Sequence, residues 1–118
     1  MQDRPTAAEL LDAVGEFLER DVMPLDGRVG FHGRVARNVV DIVRRELELG
    51  PAADAREIEG LRLLLGDECP ADLGAANAEL ARRIREGAFD GREDLMEHLR
   101  ATAVDRLKIA NPRELEGT

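Results

Sequence analysis

The polar side chains that are best suited to a chemical role interrupt the apolar faces of helical segments. In the segment from about Phe31 to Leu49, His32 and Glu46 fall inside an arc of apolar side chains at helical spacing. Arg106 falls inside the apolar arc of the last segment, with Arg100 at its rim. A carboxylate on a buried face is costly unless a cation pairs with it. The pattern therefore predicts that Glu46 pairs with Arg106 or Arg100.

Three interpretations of Glu46 and Arg106 follow from this pattern. The favoured one is a structural ion pair that fixes helix register, and breaking such a buried pair would cost about 3–5 kcal/mol. A ligand-binding polar pair is the second. In the third, the helix is less buried than its periodicity suggests.

His32 and Glu46 are too far apart to act together. Fourteen residues of helical rise separate them by roughly 20 Å, so they cannot form one catalytic dyad. His32 is best interpreted as a packed histidine that bonds a loop carbonyl, with a catalytic base as the alternative. Asn77 interrupts another apolar arc and is predicted to form a hydrogen bond between helices.

The residue types argue against catalysis and against a metal site. The chain contains no serine, and its single cysteine, Cys69, follows two acidic residues that disfavour a reactive thiolate. The candidate metal ligands His32, His98 and Cys69 lie one to a segment, so no catalytic residue, metal or cofactor is predicted. The candidate binding residues are His32, Arg34, Asn38, Glu46 and Arg106.

Apolar periodicity predicts an all-α fold, a single-domain bundle of about five helices. Thr6 and Glu9 have the spacing of a capping box at the start of the first helix, and Asp72 is a plausible N-cap for the fourth. Gly50-Pro51 carries the signals that end a helix. The predicted helices start at Thr6 and end before Pro24, then cover about 31–49, 53–65, 72–86 and 93–109.

The length and net charge of the chain limit the classes of protein to which it can belong. The 118 residues predict one helical domain over 1–118, with 113–118 as a frayed tail. A formal net charge of −8 argues against a nucleic-acid or anionic-membrane partner. One cysteine, the absence of a signal peptide and the absence of a long apolar run predict a cytoplasmic protein.

Several sequence blocks together resemble a small bacterial family of unknown function. They are Arg4–Leu11, the Phe31–Asn38 block FHGRVARN, the Ile42–Pro51 block that contains RELELGP, and Leu107–Arg113. Members of that family are typically encoded beside an aminoglycoside-phosphotransferase-like kinase and an acyl-CoA dehydrogenase. The resemblance implies an accessory role in such a pathway and carries over no catalytic residue.

These observations favour a non-enzymatic accessory or interaction domain. Its expected partners are the phosphotransferase-like kinase or the acyl-CoA dehydrogenase, and a homo-oligomer is compatible with the pattern. The alternative is a small-molecule-binding module for an acyl-CoA or a phosphorylated acyl compound, with Arg34, Arg37 or Arg45 holding the anionic group. Converging arginines in a cleft would favour the module, whereas an exposed apolar patch would favour the interaction domain.

The net charge predicts that the chain does not bind nucleic acid tightly, because approach to a polyanion is repulsive. Mobility-shift assays with single- and double-stranded oligonucleotides at low salt should show no complex. A tight, salt-sensitive complex would show that a local basic patch overrides the overall charge.

Overall fold

The protein is all α-helical. The computed structural model describes residues 3–116, and within that range it contains helices and turns but no strand. The four α-helices are α1 (Ala7–Phe17), α2 (Gly27–Leu65), α3 (Leu73–Arg85) and α4 (Glu93–Ala110). A π-helical turn, Leu18–Val22, follows α1, and 3₁₀ turns occupy Gly66–Glu68 and Pro112–Leu115.

Two helix starts follow the predicted capping chemistry. The Thr6 hydroxyl accepts the backbone N–H of Glu9 at 3.2 Å, and the Glu9 carboxylate accepts the backbone N–H of Thr6 at 3.3 Å, which completes the capping box. Asp72 accepts the backbone N–H of Ala75 at 2.9 Å at the start of α3. These bonds satisfy N–H groups that have no partner inside the helix.

The prediction that Gly50-Pro51 ends a helix is wrong, because α2 runs through both residues as one helix of 39 residues. Gly50 does not take the left-handed conformation that ends a helix; the glycines with positive φ include Gly66, directly after α2. The alanine-rich stretch after Pro51 favours helix strongly. The predicted second and third helices are therefore one.

The chain divides into two compact units, 1–49 and 50–118, and the boundary falls inside α2. Unit 2 contains the buried apolar core. Leu61 at its centre has no exposed surface. The other buried core residues are Leu64, Leu65, Ala76, Leu80, Phe89 and Leu95, and Ile58, Cys69 and Leu73 pack against them.

Unit 1 is organised differently, as an antiparallel pair formed by α1 and the first part of α2. Asp12 lies 3.1 Å from Arg44, and Glu19, seven residues further along in the π-helical turn, lies 3.2 Å from Arg37. The side chain of Arg37 also packs over Gly15, where a Cβ would lie 2.9 Å from Nη1. Within the described part of unit 1, the buried residues are three glycines: Gly15, Gly30 and Gly33.

The segment that follows α4 is described as far as residue 116, and the fraying of 113–118 stays a prediction. Asn111-Pro112 ends α4 as predicted, and Pro112–Leu115 then form a 3₁₀ turn. Residues 117–118 lie outside the described residues. One helical domain over 1–118 stays a prediction.

Pro51 gives a direct test of the continuous helix. A proline inside a helix removes one hydrogen bond and crowds the carbonyl four residues earlier, at a cost of about 3 kcal/mol. Pro51→Ala should therefore raise the free energy of unfolding by about 2 kcal/mol in urea titrations, once the lost rigidity of the unfolded chain is included.

Pro112→Ala is the matched control, because Pro112 occupies the first position of a 3₁₀ turn, where its missing N–H costs nothing. It should leave the urea midpoint nearly unchanged. Equal effects of the two substitutions would contradict an uninterrupted α2.

Candidate functional site

Unit 1 exposes the side chains that periodicity assigns to a core. On α1 they are Leu10, Val14 and Phe17, and on α2 they are Phe31, Val35, Val39, Val43 and Leu47; we call these eight residues the apolar face. Each is between 39% and 55% exposed. Their spacing is that of a single stripe on each helix.

The two stripes lie on the same side of the helix pair. Leu10 lies nearly opposite Asp12 around α1, and Phe17 lies nearly opposite Glu19 of the π-helical turn that follows. These two acids pair with arginines of α2. On α2, Asp41 flanks Arg37 on that same polar side, with its carboxylate 3.1 Å from the guanidinium. Because the helices are antiparallel and share a polar flank, their apolar flanks also face one direction.

Glu46 is exposed, which makes the predicted core position wrong. The predicted pairing with Arg106 is also wrong, because Arg106 donates to Glu57 at 3.1 Å. The third interpretation, a helix less buried than its periodicity suggests, describes this part of α2. The predicted break at Gly50-Pro51 places Glu46 and Glu57 on separate helices, whereas the acid that receives Arg106 is Glu57.

His32 is exposed and is not packed in a core. Its ring meets the ring of Phe31 edge-on at 5.4 Å between centroids, and its Nε2 accepts a long hydrogen bond of 3.5 Å from Arg28. The predicted bond to a loop carbonyl is replaced by this contact within the helix. His32 therefore lies at the edge of the apolar face.

The other candidate binding residues do not converge on one place. Arg34 and Asn38 are exposed on α2. Arg37, which the small-molecule alternative would use for an anion, is engaged by Glu19 and Asp41. A second anion at that guanidinium would have to displace carboxylates that are already bound.

A buried polar cluster in unit 2 was missed by sequence reasoning. Glu57 is the buried charged residue among the described positions, with 8% of its surface exposed. Its Oε2 accepts hydrogen bonds from Asn77 at 2.8 Å and from Arg106 at 3.1 Å. Glu57 precedes Leu61 by one helical turn, a spacing that could have placed it on the core side. The predicted bonding role of Asn77 between helices is confirmed.

An open cleft in unit 2 lies beside this cluster, between α2 and α4. Its volume is about 480 Å³, and its walls include His98, Ala101 and Val104, with Arg100 among the lining residues. The His98 ring packs against Gly60, where any Cβ would overlap Nδ1 of the imidazole. Partial burial lowers the pKa of His98, and the nearby Glu57 carboxylate opposes that shift.

The described residues bring no metal ligands together. No group of three or more histidine, cysteine or carboxylate side chains could hold a metal ion within residues 3–116. None of the described helices combines the length and apolar character needed to cross a membrane.

Fold and site define an all-helical protein with one cored unit and one unit that presents an apolar face. The chain belongs to the family described as Domain of unknown function (DUF6285), whose model matches residues 23–114. That range includes all of α2 and ends beyond α4. Neither the curated proteins nor the solved structures contain a match to this chain.

The buried cluster makes Glu57 more important for stability than Glu46. Glu57→Ala removes the acceptor of a half-buried amide and should lower the free energy of unfolding by about 2 kcal/mol. Glu46→Ala, an exposed carboxylate on the same helix, should change it by less than about 0.5 kcal/mol. Arg106 is largely exposed, so Arg106→Ala should cost under about 1 kcal/mol. Urea titrations in which Glu46→Ala costs as much as Glu57→Ala would contradict this assignment.

Close packing of His98 on Gly60 predicts a specific rescue. Gly60→Ala should destabilise by about 1–2 kcal/mol, because the overlap with the ring exceeds the gain in helix propensity. In the His98→Ala background the same change should become neutral or stabilising. Gly74→Ala, at an exposed glycine in the first turn of α3, is the control; a Cβ there would lie 3.3 Å from Asp72 Oδ2, and its effect should be the same in both backgrounds. The same loss from Gly60→Ala in both backgrounds would show that the ring is not the cause.

Proposed function

We propose that this protein is a non-enzymatic interaction domain that docks other proteins through the apolar face of unit 1. The observation that carries the proposal is the exposure of eight large apolar side chains on one side of an antiparallel helix pair. The resemblance to a family encoded beside a phosphotransferase-like kinase and an acyl-CoA dehydrogenase supports a cytoplasmic accessory role in such a pathway.

The size of the apolar face supports a binding role. With roughly 80 Å² exposed on each of eight side chains, the face presents on the order of 600 Å² of apolar surface. This reaches the upper end of the largest patch on a typical monomer, about 300–600 Å². Covering it would be strongly favourable, since each Å² removed from water contributes about 25 cal/mol.

The chemistry of the face indicates the kind of partner. Two adjacent helices with apolar stripes are suited to receive one or two amphipathic helices of another protein, in the manner of a helical bundle. The net charge of −8 disfavours polyanions as partners. A protein surface with an apolar helix is therefore the favoured ligand over nucleic acid or an anionic membrane.

A second candidate function rests on the cleft of unit 2. Its volume lies within the range of about 300–1,000 Å³ that small-molecule sites occupy. Apolar walls at Ala101 and Val104 suit an acyl chain, and Arg100 suits an anionic group. Binding of an acyl-CoA or a phosphorylated acyl compound here is the alternative to protein docking.

Binding measurements with purified proteins test the first proposal. The phosphotransferase-like kinase and the acyl-CoA dehydrogenase of the same organism are titrated against the immobilised chain and two variants. Phe17→Glu places a carboxylate in the apolar face and should weaken binding at least about tenfold. Leu63→Glu is the matched control, because Leu63 is 79% exposed outside the face.

The outcomes separate the two functions. Selective loss of binding in Phe17→Glu supports docking through the apolar face. Equal affinities for Phe17→Glu, Leu63→Glu and the unchanged chain contradict it. Absence of binding to either protein, together with thermal stabilisation by an acyl-CoA that Ala101→Phe abolishes, supports the small-molecule alternative.

A further inference from the structure

We propose that the α2 stripe of the apolar face binds a second copy of this chain, antiparallel and related by a two-fold axis that passes beside Val39. This inference deepens the proposed function by naming one occupant of the face, and it rests on that face being an interface. Three observations carry it: the spacing of the stripe about Val39, the two polar residues within it, and its area.

The stripe is symmetric about Val39. Val35 lies four residues before Val39 and Val43 four residues after it, while Phe31 and Leu47 lie eight residues before and after. All five side chains are between 39% and 55% exposed. In an antiparallel two-fold pair, residues at equal distances from the axis meet their counterparts in the other copy. Val35 would thus lie beside Val43 of the second copy, Phe31 beside its Leu47, and Val39 beside its Val39.

The two polar residues of the stripe, His32 and Glu46, are also placed symmetrically about Val39. His32 and Glu46 lie seven residues on either side of Val39, which is the heptad spacing of a helical seam. The two-fold axis therefore places His32 of each copy beside Glu46 of the other. Within one chain the same two residues are about 20 Å apart along the helix and cannot meet.

This pairing explains why an apolar stripe carries an imidazole and a carboxylate. Both side chains are exposed in the single chain, where His32 has, among the described residues, only the edge-on contact with Phe31 and the long hydrogen bond from Arg28. Across the two-fold axis they form two identical hydrogen-bonded pairs, and the Arg28 guanidinium beside His32 adds positive charge opposite Glu46. Polar pairs in an apolar seam typically fix register and orientation. A partner of unrelated sequence is not expected to carry complementary residues that are symmetric about the midpoint of the stripe, Val39.

The available area is sufficient for a dimer. The five side chains of the α2 stripe present about 400 Å² per copy, and only together with the three α1 side chains does the apolar face reach about 600 Å² per copy. A pair joined over the whole face buries about 1,200 Å², the lower bound of specific interfaces. Leu10, Val14 and Phe17 of α1 lie on the same side and extend the seam toward a four-helix arrangement. A helix pair that buries only glycines gains in this way the apolar core that it lacks.

Charge substitution at the axis tests the proposal, because Val39 alone faces itself. Sedimentation equilibrium of the unchanged chain should give twice the chain mass of 13.0 kDa. Val39→Glu and Val39→Lys should each give single chains, since like charges meet at the axis. An equimolar mixture of the two variants should restore the dimer, because the glutamate of one chain then meets the lysine of the other. Leu63→Glu, an exposed apolar-to-acidic change elsewhere on α2, should remain dimeric.

A cross-link keeps the test decisive if a charged variant fails to fold. In a Cys69→Ala background, Val39→Cys should form a covalent dimer on mild oxidation, whereas Asn38→Cys, one position around the helix, should not. A single-chain mass for the unchanged protein, failure of the mixture to reassociate, or equal cross-linking of the two cysteine variants would each overturn the proposal. If the unchanged protein is a single chain but Phe17→Glu still weakens partner binding selectively, the dimer fails and the proposed docking function stands.

Discussion

Two helices that touch along one strip can bury only the side chains of that strip, and in unit 1 the strip is filled by glycines and ion pairs. Gly15 admits the Arg37 side chain, and Gly33 admits Val22 of the π-helical turn. Apolar side chains at the helix contact, such as Leu11 and Val40, are only partly buried. The large apolar side chains are left on the flank, half exposed. An apolar flank at the upper end of the patch sizes found on monomers commonly marks an interaction site. The proposed interaction function follows from this constraint.

Unit 2 shows the opposite solution in the same chain. Its leucines close around Leu61, and its one buried carboxylate receives hydrogen bonds from Asn77 and Arg106. The burial cost of Glu57 is thus offset within the unit. Glu46 has a similar position among apolar side chains of α2 but lies on the surface. Its natural counterpart, on the two-fold arrangement, is His32 of another copy.

Local chemistry made much of the fold predictable. Thr6, Asp72 and Asn111-Pro112 mark helix ends where capping and proline rules place them. Gly50-Pro51 was misleading because a local stop signal competes with strong helix formers on both sides, and the propagating helix outweighs it. Periodicity identified which side of α2 is apolar, but it cannot tell a face covered by the same chain from one left exposed. Periodicity also identified Arg106 as a polar residue on an apolar face of α4, but it did not identify the partner of Arg106, Glu57.

A dimer formed through the α2 stripe requires contacts between chains that no single chain can make. They can be measured as isotope-filtered nuclear Overhauser effects in a sample that mixes ¹³C-labelled and unlabelled protein. Cross-peaks between the methyl groups of Val35 and Val43 of different chains, and between the Val39 methyl groups of the two copies, are the expected result. A mixed sample in which these methyl groups show only intrachain contacts would contradict the central claim that a second copy covers the α2 stripe.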